Sequence, residues 1–232
     1  QSRRMKRFYK QASVTPDLGI ALDGRPVRTP GRLPLILPNL VLAEAIAEEW
    51  RTQGDEILPQ AMPLTGLANA AIERIAPDTS GFAAGLAAYG ESELLCYRAG
   101  GPAPLVMRQV EVWDPILAWA RARYDIGFVL VEGIMHRPQP PETLARLSEA
   151  LAARNTFELA ALSPIVTISG SLVIALAVLE GELDPDAAFD AGHLDELWQA
   201  EQWGEDDFAR DQRDARRADF LAACGFLRLL RC

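Results

Sequence analysis

At 232 residues the chain is long enough for one large or two modest domains with a real core. Apolar residues make up 49% and charged residues 24%, so fibrous and disordered classes are poor fits. The formal net charge of −9 argues against a nucleic-acid partner, because phosphate contacts need clustered Lys and Arg.

The charge is unevenly spread. Residues 1–32 carry eight basic side chains against Asp17 and Asp23, whereas residues 180–207 carry eleven acidic ones and no Lys or Arg. The two regions therefore present opposite fields. Cys96, Cys224 and Cys232 are odd in number and lack CxxC spacing, so neither a disulfide framework nor a zinc site is indicated and a reducing compartment follows.

In chain order, the basic start RRMKRFYK is not followed by the apolar run of a secretory signal. Gln11 to Leu22 and Pro26 to Leu37 read as short extended pieces, joined by Asp23-Gly24, a pair that tolerates the positive φ of a tight hairpin turn. Asn39 reads as the N-cap of a helix through about Gln53, with Leu42, Ala45, Ile46, Glu49 and Trp50 at helical spacing. Trp50 is expected to plug the face of the small sheet. Gly54 and Pro59 close this unit, and after Met62-Pro63 the texture becomes Ala- and Leu-rich with helical periodicity.

The expected architecture is α+β. Residues 1–61 form a small N-terminal domain with an antiparallel sheet and a helix, and residues 62–232 form a larger all-helical domain. Within the second part, helices are expected at about 64–76, 79–90, 104–124, 141–155, 162–180, 185–190, 193–203 and 206–230. Ile126 to Glu132 reads as an extended connector rather than a strand, for want of a partner. Leu159 to Leu179 is uncharged and long enough to span a bilayer. It carries Ser163, Pro164, Thr167, Ser169, Gly170 and Ser171 and an acidic downstream flank, so it reads as buried core and no membrane insertion is expected.

A search for chemistry finds little. The two histidines, His136 and His193, stand 57 positions apart and read as ordinary surface residues. There is no GxSxG elbow, no GxxxxGK[ST] loop and no GxGxxG after a strand. Ser163 and Cys96 lack a nearby base. Carboxylates are plentiful, which leaves a hydrolase using two of them open, but nothing singles out a pair. No catalytic residue, metal site or cofactor is assigned.

One segment stands out, His193 to Gly204, HLDELWQAEQWG. At about 100° per residue, Leu194, Leu197 and Trp198 share one face while Glu196, Gln199 and Trp203 line the opposite one. Aromatic residues beside polar groups are enriched at binding hot spots. Glu196, Gln199 and Trp203 are therefore candidate partner-binding residues. Glu201 joins them, and because it falls on the Leu194 side it needs a partner if buried.

Seven segments together resemble a family. They are KRFYK at Lys6 to Lys10, LDGRPVRTP at Leu22 to Pro30, LAEAIAEEW at Leu42 to Trp50, MPLTGLANAAIERI at Met62 to Ile75, YGESELLCYRA at Tyr89 to Ala99, QVEVWDPILAW at Gln109 to Trp119 and LDELWQAEQWG at Leu194 to Gly204. In this order they are similar to the assembly chaperones of the ATP synthase catalytic head, found in mitochondria and alphaproteobacteria. The resemblance implies a two-domain, non-catalytic protein that binds the unassembled alpha subunit and keeps it from aggregating, without nucleotide hydrolysis. It places the family's functionally important glutamate at Glu196, and it departs at Trp198, where relatives often carry Phe or Tyr. It also implies a monomer acting in the bacterial cytoplasm, or in the mitochondrial matrix of a eukaryote. A structural adaptor that stays in the complex is the other binding-class alternative.

Overall fold

The computed structural model describes residues 5–133 and 135–231. Two compact units emerge, one made of Gln1–Thr79 with Asn155–Ala161 and Gly225–Cys232, the other of Ser80–Arg154 with Leu162–Cys224.

The first unit holds the antiparallel sheets. Strands β2 (Ala12–Val14), β3 (Ile20–Leu22) and β4 (Arg25–Pro26) form an antiparallel meander in that order. Asp23 and Gly24 close the β3–β4 hairpin with φ of 48° and 80°, the left-handed pair that the sequence predicts. The Asp23 carboxylate also accepts the backbone amides of Lys10 and Gln11 at 3.1 and 2.9 Å. A second antiparallel pair joins β1 (Met5–Lys6) to β5 (Glu56–Ile57).

Helix α1 (Leu40–Arg51) starts where its cap is expected, with Asn39 Oδ1 accepting from Leu42 N at 2.8 Å. Its buried side, Leu42, Ala43, Ile46 and Ala47, packs on β2 and β3. Trp50 is half-buried against a cluster of Tyr9, Ala12, Leu22, Ile57 and Met62, edge-on to Tyr9 at 5.8 Å. The N-terminus of α2 (Pro63–Ala70) is satisfied from α1. Glu49 accepts the Leu64 and Thr65 amides at 2.7 and 2.8 Å and the Thr65 hydroxyl at 2.7 Å. A π-helical turn at Ala71–Ile75 follows α2.

The remaining helices are α3 (Thr79–Ala87), α4 (Ala103–Tyr124), α5 (Pro141–Ala152), α6 (Thr156–Ser169), α7 (Leu172–Glu180), α8 (Pro185–Gly192), α9 (Leu194–Trp203) and α10 (Asp207–Leu230). The α+β class expected from the sequence holds, with the strands concentrated before Pro63 and helix dominating after it.

Two local expectations fail for identifiable reasons. The uncharged stretch is two helices, not one, because Gly170 takes φ +70° and Ser171 caps a new helix, its hydroxyl accepting from Ile174 N at 2.9 Å. All of Leu172 to Leu179 is buried, and no helix among the described residues is long and apolar enough to cross a membrane. The supposed connector contains β7 (Val131–Glu132), which pairs in parallel with β6 (Tyr97–Arg98). The partner is a two-residue strand 34 residues upstream in register, Tyr97 against Val131, too short to show a period in sequence.

A candidate partner-binding site on helix nine

Helix α9 packs on α4 and α8 through Leu194 and Trp198, both buried. Polar contacts fix its register. Gln109 on α4 donates to Asp195 at 2.8 Å, Arg108 donates to Glu201 at 2.7 Å, and the Trp113 indole donates to the Ala191 carbonyl at 2.8 Å just upstream. Glu201, expected to need a partner if buried, is exposed and pairs with Arg108 all the same.

Glu196 is turned toward α10, where Arg216 lies 2.7 Å away and Arg213 3.8 Å away. Arg213 also holds Glu205 by a two-pronged contact, with both side chains largely buried. Arg217 pairs with Asp186 and Asp190 on α8 at 2.6 and 2.9 Å. The acidic run of residues 180–207 is therefore not a bare negative field, since α10 supplies three arginines against it.

Gln199 and Trp203 are exposed, and Trp203 is 74% accessible. Its ring is held edge-on to buried Trp198 at 5.5 Å and 86°. Glu196, Gln199 and Trp203 thus occupy one helix away from its packed side, although only Glu196 is engaged by α10. Gly204 ends the helix at φ +78°, a left-handed value that glycine adopts without strain.

His193 corrects the sequence reading. It is buried, not a surface residue, stacked on Phe189 at 3.9 Å with Nδ1 donating to the Phe189 carbonyl at 2.9 Å. Burial holds its pKa below the usual imidazole value, so it sits neutral. Together with Trp113, Asp195, Glu196 and Arg216 it lines a cleft of about 280 Å³. His136 is exposed as expected, with the Tyr97 hydroxyl 2.9 Å from Nδ1 and Glu91 3.3 Å from Nε2.

Sequence reasoning missed Arg213 and Arg216 as the partners of Glu196. Their three-residue spacing, which puts both on one face of α10, was the available signal. Among the described residues no group of three or more His, Cys, Asp or Glu is placed to hold a metal ion.

The ATP12 chaperone family model matches residues 6–121, half of the chain. The chain belongs to the ATP12 chaperone family. This is the ATP synthase assembly chaperone family that the seven ordered segments resemble.

Its similarity to other ATP12 proteins extends over nearly the whole length. The crystal structure of Atp12 from Paracoccus denitrificans superposes with a TM-score of 0.93 at 40% identity, covering 98% of this chain and 99% of that one. A putative chaperone from Agrobacterium tumefaciens gives 0.92 at 43% identity, covering 97% of this chain and 86% of that one. The mitochondrial protein atp12 of Schizosaccharomyces pombe is 25% identical over 91% of this chain and 78% of its own length.

Proposed function

We propose that this chaperone holds the unassembled alpha subunit of ATP synthase, keeps it from aggregating and releases it for assembly of the catalytic head, without catalysing a reaction. The observation that carries the reading is Trp203, a large aromatic left 74% exposed at the end of a helix whose other tryptophan is buried. An exposed, positioned aromatic ring gives much contact area for little lost entropy. Glu196 and Gln199 on the same face supply a polar rim, with Glu201 on the other side of the helix held by Arg108, and Glu196, braced by Arg216, offers a fixed carboxylate to basic surface on the client.

In this reading the protein acts as a monomer in the bacterial cytoplasm, or in the mitochondrial matrix if its source is a eukaryote. The test is aggregation of purified alpha subunit diluted from denaturant, followed by light scattering without nucleotide. Stoichiometric chaperone is expected to suppress scattering from alpha and not from beta. Equal protection of both subunits, or of beta alone, would overturn the assignment of alpha as client.

A further inference from the structure

A groove of about 550 Å³ lies in the first compact unit, far more apolar than polar, with Met5, Phe8, Val27, Trp50, Ile57 and Met62 among its walls. Phe8 is 68% exposed and Met5 55%, so the groove leaves bulky apolar side chains facing solvent. Two further features set it apart from a packing defect. Trp50 Nε1 and Asn69 Oδ1, both from lining residues, are buried and have no hydrogen-bond partner among the described residues. Native proteins seldom leave such atoms unpaired. At the rim, Arg25 and Arg28 are exposed and make no ion pair among the described residues, and none of the lining residues is acidic.

We propose that this groove takes an extended segment of the client, one with a large apolar side chain next to an acidic residue. The apolar side chain fills the groove, and the acidic one meets Arg25 and Arg28. Trp50 Nε1–H donates to a backbone carbonyl of the segment, and Asn69 Oδ1 accepts one of its backbone N–H groups. Both atoms are covered in the free protein, so these two bonds form with side-chain adjustment on binding.

The pairing of an unused donor with an unused acceptor selects a peptide over a lipid. An acyl chain would satisfy the apolar walls and the arginines but would leave both polar atoms unpaired. The inference rests on the chaperone reading above and adds a second docking surface, on residues separate from α9. Gly66 provides the means to test it. It lines the groove from α2, and nothing lies within 4 Å of where its Cβ would be. Gly66→Trp can therefore start its side chain without a clash at Cβ and sets an indole at the groove wall to obstruct it, and helix propensity favours the change.

The experiment uses the full chain and short synthetic peptides tiled along the ATP synthase alpha and beta subunits, with the alpha-subunit aggregation assay run in parallel. Peptides carrying a large apolar residue beside Asp or Glu are expected to bind. Gly66→Trp and the double variant Arg25→Glu/Arg28→Glu should each weaken them about tenfold. Trp50→Phe should weaken them severalfold, more than its change in melting temperature accounts for, because loss of an unpaired buried N–H offsets part of the packing lost with the larger ring. Absence of peptide binding, binding that survives Gly66→Trp, or equal binding of Lys-flanked peptides would overturn the groove. Binding of beta peptides alone would keep the groove and remove alpha as client. Alpha protection that is indifferent to both groove variants would keep alpha and remove the groove. If Gly66→Trp fails to fold, the surface arginine variant decides by itself.

Discussion

Nη2 of Arg216 lies 2.7 Å from one carboxylate oxygen of Glu196 and 2.8 Å from the other, so the carboxylate at the centre of the proposed partner-binding face is already ion-paired within the chain. Both side chains are about two-fifths exposed, and pairs of that kind contribute about 0.2–1 kcal/mol. Glu196→Gln is therefore expected to change stability by less than about 1 kcal/mol.

Glu196→Lys sets a cation against Arg213 and Arg216, and is expected to cost somewhat more while abolishing protection of the client. The decisive variant is the swap Glu196→Arg with Arg216→Glu. It restores the pair with position 216 and most of the melting temperature, Arg213 remaining as a nearby cation, yet it should not restore client protection if the partner reads a carboxylate at position 196. Recovery of both properties in the swap would mean that Glu196 acts only by holding α10.

A second prediction concerns Glu49, whose carboxylate takes three hydrogen bonds from Leu64 and Thr65 at the start of α2. Burial raises its pKa, while these bonds pull the other way. Glu49→Ala leaves two amides and a hydroxyl without their acceptor in a half-buried site, and should cost about 1–3 kcal/mol. Glu49→Gln keeps one good acceptor and should fall between. Urea unfolding followed by tryptophan emission measures both, and an Ala variant as stable as wild type would show that water replaces the cap at no cost.

Short-range chemistry was the legible part of this chain. Asp23-Gly24 reads directly as a left-handed turn, Asn39 as a cap, and the ends of α3 to α5 and of α8 to α10 fall near their expected positions. What failed was long-range or fine-grained. The parallel contact of Tyr97 with Val131 has no period to betray it, and one Gly-Ser step breaks an apolar run that composition alone describes as continuous. At the candidate site, the face carrying Glu196, Gln199 and Trp203 could be drawn from helical geometry. The arginines that restrain Glu196 come from a different helix, and His193 is buried by Phe189 one turn back, a stacking that spacing permits but does not require.

The cysteines give a third prediction. Cys96 and Cys224 are buried, and burial pushes both thiols up to about 12. At neutral pH almost no thiolate is present in the folded protein, so neither should be a redox sensor or a nucleophile. With Cys232 replaced by Ser, the native protein should react with a thiol reagent only as fast as it opens, and both thiols should react at once in denaturant. Rapid stoichiometric labelling of the native protein would contradict the packing around Cys96 and Cys224.

The last prediction concerns Glu93, fully buried and unmarked in the sequence reading. Its carboxylate accepts from Val173 N at 3.0 Å and Leu95 N at 3.3 Å, which places an acidic group at the N-terminus of α7. Burial pushes its pKa from 4.5 up to about 7, against the lowering pull of Ser171 and of the Val173, Leu95 and Leu172 amides. Because the folded state binds this proton more tightly than the unfolded chain, its contribution to stability is complete below pH 4.5. It is lost as the pH rises through about 7. A shift of that size corresponds to on the order of 3 kcal/mol across the window. His193, held neutral by burial, acts with the opposite sign, since its stabilising effect is lost as the pH falls, so the wild-type profile alone does not isolate Glu93. The difference between wild type and Glu93→Gln does. Urea midpoints taken across the acidic to neutral range should show the wild type losing stability toward neutral pH relative to the Gln variant. Parallel profiles would mean that the four donors around Glu93 offset burial and leave its pKa unshifted by folding.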